Sequence, residues 1–142
     1  MVWKDESGQM TVEFTVVFPV LIIVAVIAVN ALLFLSDCAA FDRIARDAIR
    51  IHGTSPAYGQ SSEQSIAQID QTIKAHLDKE YLSSTVSASG DVLGHVTYTA
   101  ELVFSPTLFG MGLRSSVFGI SLPQFHHRVA MTVDTYKPGV LL

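Results

Sequence analysis

The chain is 142 residues long, 49% of its residues are hydrophobic, and 9 basic against 13 acidic residues give a net charge of −4. This length fits one globular domain and a membrane anchor, and the lack of a basic excess argues against nucleic acid as a partner. The one cysteine, Cys38, excludes an internal disulfide framework and leaves two alternatives, a small buried side chain or a disulfide between chains.

The first element is an apolar segment, and the sequence from Phe14 to Ser36 contains no charged residue. The 22 residues from Phe14 to Leu35 extend about 33 Å as a helix, which matches a bilayer core of about 30 Å. A buried helix of a small domain would keep a polar face, and this segment has almost none. We therefore predict a transmembrane helix here.

Glu13 lies at the start of this segment, where pulling an ionised carboxylate into lipid costs up to about 3 kcal/mol. Either Glu13 only marks the end of the helix, or its charge has a dedicated partner. Gly8 lies five residues earlier in a short polar leader, and a cut after Gly8 would make Glu13 the fifth residue. Gln9 would then carry a new α-amino group, and pairing with Glu13 would cancel two charges in an apolar bundle.

The pattern G-x-x-x-x-E-F, followed by Pro19 and a membrane helix, resembles the processing site of type IV pilin-like proteins. In this form it is similar to the TadE-like pseudopilins, or minor pilins, of the tight-adherence (Tad, or Flp) pilus system. The resemblance implies cleavage between Gly8 and Gln9 by a prepilin peptidase. It also implies a role for Glu13 and Phe14 in the assembly of subunits.

The resemblance further implies a location and a set of partners. The partners are the prepilin peptidase, other pilin or pseudopilin subunits, the Tad membrane platform proteins and membrane lipid, with no small-molecule substrate and no nucleic acid. The location is the cytoplasmic membrane, crossed once, with the C-terminal domain extracytoplasmic; entry into a cell-surface pilus stays open. Arg43, Arg46 and Arg50 follow the helix, and the positive-inside rule alone would place them in the cytoplasm. Because aspartates alternate with these arginines, we follow the resemblance.

Two polar or irregular residues interrupt the membrane segment. Pro19 lacks an N–H and crowds the carbonyl of Thr15, which predicts a kink or local unwinding near Thr15. Asn30 lies further along the segment, and two interpretations are open for it. Its amide bonds a neighbouring helix, or it faces the headgroups.

The helix is expected to continue beyond Leu35 as an amphipathic helix ending near His52, with Gly53 as its cap. The apolar residues that indicate this continuation recur at spacings of 3, 4 and 3, and they are Phe41, Ile44, Ala48 and Ile51. A helix from Gln9 to His52 would be about 66 Å long. One half would lie in lipid or in a filament, and the other would pack on the domain.

A second helix is predicted from Ser61 to Leu82. Ser61 and Gln64 have the spacing of a capping box. An apolar stripe runs along the helix, and it consists of Ile66, Ile69, Ile73 and Leu77.

From Ser83 onward the apolar period becomes two, which predicts strands. They are a weak strand over Thr85–Ser89, a half-buried strand over Val96–Phe104, and a last strand over Gln124–Thr135 with a bulge at 126–128. The connection 105–123 is unusually apolar, and it either folds back on the core or forms a subunit or membrane contact. The pattern therefore predicts an α+β fold with two helices and a small antiparallel sheet, and the resemblance implies that this fold is pilin-like.

Together with the resemblance, this pattern implies three regions: a prepilin leader over residues 1–8, a transmembrane and assembly helix over 9–36, and an extracytoplasmic α+β domain over 37–142. The histidines and serines lack the spacing of a metal site or a nucleophile, and no phosphate-binding loop is present. We therefore expect no enzyme, no metal and no cofactor. The predicted function is that of a minor pilin acting in Tad pilus assembly and adhesion. The alternative is an unprocessed, single-pass membrane protein whose domain binds a partner.

Overall fold

The computed structural model describes residues 6–54, 60–90, 94–108, 116–117, 120–121 and 123–134. This part of the chain combines two helices with a three-stranded antiparallel sheet, so the predicted α+β class is confirmed. Most of the leader, most of the apolar connection 105–123 and the tail after Asp134 lie outside the described residues.

Helix α1, Glu6–Gly53, is a single helix of 48 residues and is about 72 Å long. Its unbroken course confirms the prediction that the helix continues beyond Leu35. Among the described residues, α1 is the one helix long and apolar enough to cross a membrane. Most of the apolar part of α1 is left uncovered by the described residues, since side chains such as Val16 and Ile23 are more than half exposed.

The second half of α1 packs on the domain through a face that contains Phe41, Ile44 and Ala48 of the predicted stripe. Its buried residues are Phe41, Ala45, Ala48 and Ile49. Ile51 was predicted on this face and is wrong, because it is 65% exposed. At 3.6 residues per turn Ile51 lies about 100° from the centre of the buried face.

Helix α2, Ser62–His76, begins with the predicted capping box. The Ser61 hydroxyl accepts from the Gln64 N–H at 3.4 Å, and the Gln64 side chain accepts from the Ser61 N–H at 3.2 Å. Ile69 and Ile73 are fully buried, which confirms the predicted stripe. The predicted end at Leu82 is wrong, because the Leu77 N–H makes the last helical bond and a turn follows.

The main sheet has the strand order β1-β2-β5, with β1 Leu82–Gly90, β2 His95–Phe104 and β5 Phe125–Asp134. β1 starts earlier than predicted because Leu82 already pairs with Phe104. Two short strands, β3 Ser116–Val117 and β4 Ile120–Ser121, pair with each other inside the apolar connection.

The register of β2 and β5 is continuous, so the bulge predicted at 126–128 is wrong. His127 caused the error, because it points toward α1 with Val129 and Val133 although it is polar. His126 points to the opposite face of the sheet, as neighbouring residues on a strand must.

One face of this sheet covers α2 and the second half of α1 around a single core. Its fully or nearly fully buried residues are Phe41, Ala45, Ala48, Ile49, Ile69, Ile73, Tyr98, Ala100, Leu102, Val129 and Val133. Gly53 ends α1 as predicted, and an added Cβ there would lie 3.0 Å from Cε2 of Tyr98. The glycine therefore permits a close approach of the helix end to the tyrosine ring.

Candidate assembly site and helix–domain junction

The predicted processing residues lie in the first two turns of the described part of α1. Gly8 and Gln9 are exposed, and a Cβ added at Gly8 would meet nothing within 4 Å. Glu13 and Phe14 are exposed on the next turn. The structure therefore brings all four predicted residues together on one free helix end.

Gln9 and Glu13 contact each other directly. The Gln9 side-chain amide donates to Oε1 of Glu13 at 3.3 Å. Their separation of four residues corresponds to about 6 Å along the helix axis. A chain cut after Gly8 would thus carry its amine on a residue whose side chain already reaches the Glu13 carboxylate.

The surface around Glu13 is otherwise apolar. Phe14 stacks on Phe18 with ring centroids 5.5 Å apart, and both rings are about half exposed or more. Met10, Thr11, Glu13, Phe14 and Val17 share one open face of α1. An apolar helix packed on this face would place its own atoms beside the Glu13 carboxylate.

Pro19 lies within α1 without ending it. The Thr15 hydroxyl donates to the Thr11 carbonyl at 2.7 Å, one turn before the carbonyl that Pro19 cannot bond. Such back-bonding by threonine favours a bend in a helix. The helix is unbroken here, and the predicted kink stays a prediction.

Asn30 joins α1 to the chain's own domain. Its amide nitrogen donates to the Thr107 carbonyl at 2.7 Å and to the Val26 carbonyl at 2.9 Å. Its amide oxygen accepts from the Thr107 N–H at 2.8 Å. Neither of the two predicted roles, a neighbouring helix or the headgroups, describes this arrangement, since the chain returns to α1 at Thr107.

An aromatic cluster forms the next contact along α1. The Phe34 ring lies 5.5 Å from Phe104 and 5.3 Å from Phe125, and Tyr81 meets Phe104 edge-on at 5.5 Å. Phe104 and Phe125 are paired residues at one end of the sheet. This end of the sheet therefore packs against α1 at Phe34.

Two polar contacts, which the sequence did not predict, fix the domain on α1 above this cluster. Asp37 is 2% exposed and accepts from the Lys79 ammonium at 2.5 Å, and this hydrogen bond raises the pKa of Lys79. His127 lies 2.7 Å from Oδ1 of Asp42, and its ring meets Phe41 edge-on. Neither pair has a local sequence signal, because the partners are 42 and 85 residues apart.

Cys38 lies beside these carboxylates and is partly buried. Burial, and then the charges of Asp42 and Asp37, raise the pKa of the Cys38 thiol. Since the thiolate is the form that exchanges disulfides, this environment lowers the reactivity of Cys38. Among the described residues, no group of three or more His, Cys, Asp or Glu could hold a metal.

The outer face of the sheet is polar. Glu101 accepts from His126 at 2.9 Å and from Arg128 at 3.2 Å. These hydrogen bonds lower the pKa of the Glu101 carboxyl. The cluster ties β2 to β5 and does not extend to the assembly site.

Comparison with family models, curated proteins and solved structures finds no match to this chain. The feature that carries the inference is α1, whose first half is free and apolar and whose second half is covered by the domain.

Proposed function

We propose that the chain is a TadE-like minor pilin or pseudopilin of a Tad pilus system. In this proposal a prepilin peptidase cuts after Gly8, and the mature subunit takes part in pilus assembly and adhesion. The subunit crosses the cytoplasmic membrane once through α1, with its domain on the extracytoplasmic side. Its partners are other pilin subunits and the Tad platform proteins.

One observation carries the proposal: a single unbroken helix begins with an exposed Gly8–Glu13 segment and ends inside a small α+β domain. A filament subunit needs an apolar helix that is free to pack against copies of itself or its relatives. It also needs a domain that holds its shape while this helix changes surroundings. α1 combines both, because its residues 8–25 are exposed and Asn30 is bonded to the domain.

Glu13 would act when helices leave lipid and bundle. A new α-amino group on Gln9 carries a positive charge that is costly inside apolar packing. Glu13 lies one turn away and is within reach of such a charge, either in its own chain or in a staggered neighbour. Pairing the two charges removes this obstacle to assembly.

The alternative, an unprocessed anchored binding protein, shares α1 and the domain. It differs in one respect, because Gly8 and Glu13 have no functional role in it. A fractionation experiment separates the two functions. Filaments are sheared from cells that carry the complete pilus system, and the chain is then located in filaments and membranes with an antibody against the domain.

The proposal predicts that deletion of the chain abolishes or sharply reduces filaments and that the wild-type gene restores them. The Glu13→Gln variant should accumulate in membranes without restoring filaments. Normal filaments in the deletion strain would refute an assembly role and would favour the anchored binding protein.

A further inference from the structure

The domain already contacts α1 within the apolar segment, and not only beyond the end of that segment. Thr107 is bonded to Asn30, so the free apolar part of α1 covers residues 14–29. These 16 residues rise about 24 Å. An apolar bilayer core of about 30 Å needs about 20 residues, so the free part is about four residues too short.

Starting the membrane span nearer the N-terminus of α1 does not close this gap. Four more residues would start the span at Met10 and bring the Glu13 carboxylate inside the apolar core, where an ionised side chain is disfavoured. With Glu13 at one edge of the apolar core, the other edge falls near Leu33. Asn30 and Thr107 then lie inside the core.

The contact between Asn30 and Thr107 is suited to that depth. Both the donor and the acceptor ends of the Asn30 amide are bonded, and the Thr107 side chain is 3% exposed. Backbone and amide groups at membrane depth must be bonded within the protein, because lipid offers no partner.

Four exposed apolar side chains lie on the segments that meet near the contact between Asn30 and Thr107. We call them the apolar collar, and they are Leu32 at 68%, Leu35 at 64%, Leu108 at 38% and Phe125 at 43% exposure. The described stretches at this level, 30–36, 105–108 and 123–125, contain no charged residue. Exposed apolar side chains gathered on neighbouring segments favour contact with a membrane or a partner.

We propose that the apolar collar is immersed in the leaflet on the domain side, so that acyl chains contact the base of the domain itself. In the part of the apolar core that the free part of α1 does not span, Leu108 and Phe125 face the acyl chains together with α1. The proposal rests on the membrane anchoring in the proposed function, but not on processing or on a pilus.

The test uses tryptophan fluorescence of the full chain in phosphatidylcholine vesicles, at few protein copies per vesicle. Trp3, the single tryptophan, is replaced by phenylalanine, and one tryptophan is introduced at a chosen position. The lipids carry bromine, a quencher, either near the top or near the end of the acyl chain.

Leu108→Trp and Phe125→Trp report on the collar, and the aromatic exchange at Phe125 preserves the fold if the change at Leu108 does not. Ile23→Trp, 59% exposed at the middle of the free part, is the deep reference. Thr132→Trp, exposed on the outer face of the sheet, is the reference in water.

We expect both collar variants to lose fluorescence with bromine near the top of the chain, and less with bromine near its end. Ile23→Trp should show the reverse order, and Thr132→Trp should lose none. The proposal is overturned if the collar variants match Thr132→Trp while Ile23→Trp is quenched, and the anchoring then stands alone. Blue-shifted but unquenched collar variants would also overturn it, since a second protein copy would then cover the collar. An unquenched Ile23→Trp would refute the anchoring and this proposal together.

Discussion

The side-chain amide of Asn30 holds the backbone of Thr107 at two points, 77 residues away in the sequence. Nδ2 donates to the Thr107 carbonyl at 2.7 Å, and Oδ1 accepts from the Thr107 N–H at 2.8 Å. This pairing fixes the point on α1 at which the free helix ends and the domain begins. It explains why an asparagine occurs in an otherwise apolar segment.

Replacing Asn30 should loosen the junction without unfolding α1. Asn30→Leu removes the bonds to Thr107, and we expect a loss of about 1–3 kcal/mol in the free energy of unfolding of the domain. Thermal unfolding in detergent micelles measures this loss. Leu32→Ala, two residues away and 68% exposed, is the control and should unfold like the wild type. Equal unfolding temperatures for Asn30→Leu and the wild type would show that the pairing adds nothing.

The pair of Asp37 and Lys79 should stabilise the domain more than a surface pair of the same length. Lys79→Met leaves the Asp37 carboxylate buried without its cation. We expect a cost of about 2 kcal/mol, below the roughly 3–5 kcal/mol of fully buried pairs, because the Lys79 side chain is 42% exposed.

Lys74→Met is the comparison variant, since Lys74 also lies 2.5 Å from its partner, Asp70, whose side chain keeps 26% exposure against 3% for that of Asp37. It should cost no more than about 0.5 kcal/mol. Chemical denaturation of the three proteins measures both values. Equal costs would mean that burial of Asp37 does not matter.

The same pair predicts a pH dependence. The hydrogen bond to Asp37 raises the pKa of Lys79 above its ordinary value of 10.5. A raised pKa in the folded state gives stability that is complete below pH 10.5 and is lost as the pH rises through the folded value. The difference in unfolding free energy between wild type and Lys79→Met should thus be constant near neutral pH and shrink in strong alkali. A difference that persists unchanged in strong alkali would contradict this assignment.

Gly53 should tolerate no side chain. In Gly53→Ala the new methyl group meets the buried Tyr98 ring at 3.0 Å, and overpacking of this kind costs about 1–3 kcal/mol. Gly90→Ala adds the same methyl group in open space at the end of β1, and it should change stability by less than about 0.5 kcal/mol. Urea unfolding of both variants provides the comparison, and similar values would remove the steric explanation.

Local patterns predicted the elements of this fold well. The length of α1, the capping box of Ser61 and Gln64, and the alternation along Val96–Phe104 all follow from periods and spacings within one segment. The error at Ile51 has a simple origin. Periodicity shows that a helix has an apolar face, but the elements that pack on it decide which neighbouring residues complete that face.

The contacts that join the elements could not be predicted in this way. Asn30 with Thr107, Asp37 with Lys79, and Asp42 with His127 unite residues that are 77, 42 and 85 positions apart. The inward-facing His127 also shows how such a contact misleads. In the sequence, a polar residue on the core face looks like a break in the alternation of apolar and polar residues. Only the structure shows the side chain with which it pairs.

Glu13 should act in assembly, and its loss should spare insertion and folding. Glu13→Ala and Glu13→Gln remove the charge, so the amine stays uncompensated at a cost of about 3–5 kcal/mol once it is buried. We expect normal membrane levels with filaments lost or sharply reduced, and a milder defect for Glu13→Asp. Immunoblots of membranes and electron microscopy of filaments measure the two effects.

Gln9→Ala is the matched control, because it removes the side-chain bond to Glu13 but keeps the α-amino group. It should still assemble filaments. Normal assembly by Glu13→Gln would show that charge pairing is not the task of this residue.

Gly8→Leu should block processing without disturbing the fold, since a Cβ at Gly8 meets nothing within 4 Å. The variant should stay about eight residues longer on a gel, and filaments should be absent. Gly90→Leu introduces the same side chain in open space far from the cut, and it should be processed normally.

The most direct measurement is the identity of the N-terminal residue of the wild-type chain, extracted from membranes of cells that contain a prepilin peptidase. Mass spectrometry of the N-terminal peptide determines it. The account predicts Gln9, which makes Glu13 the fifth residue of the mature chain. An N-terminus at Met1 or Val2 would contradict processing after Gly8 and would favour the unprocessed, membrane-anchored binding protein.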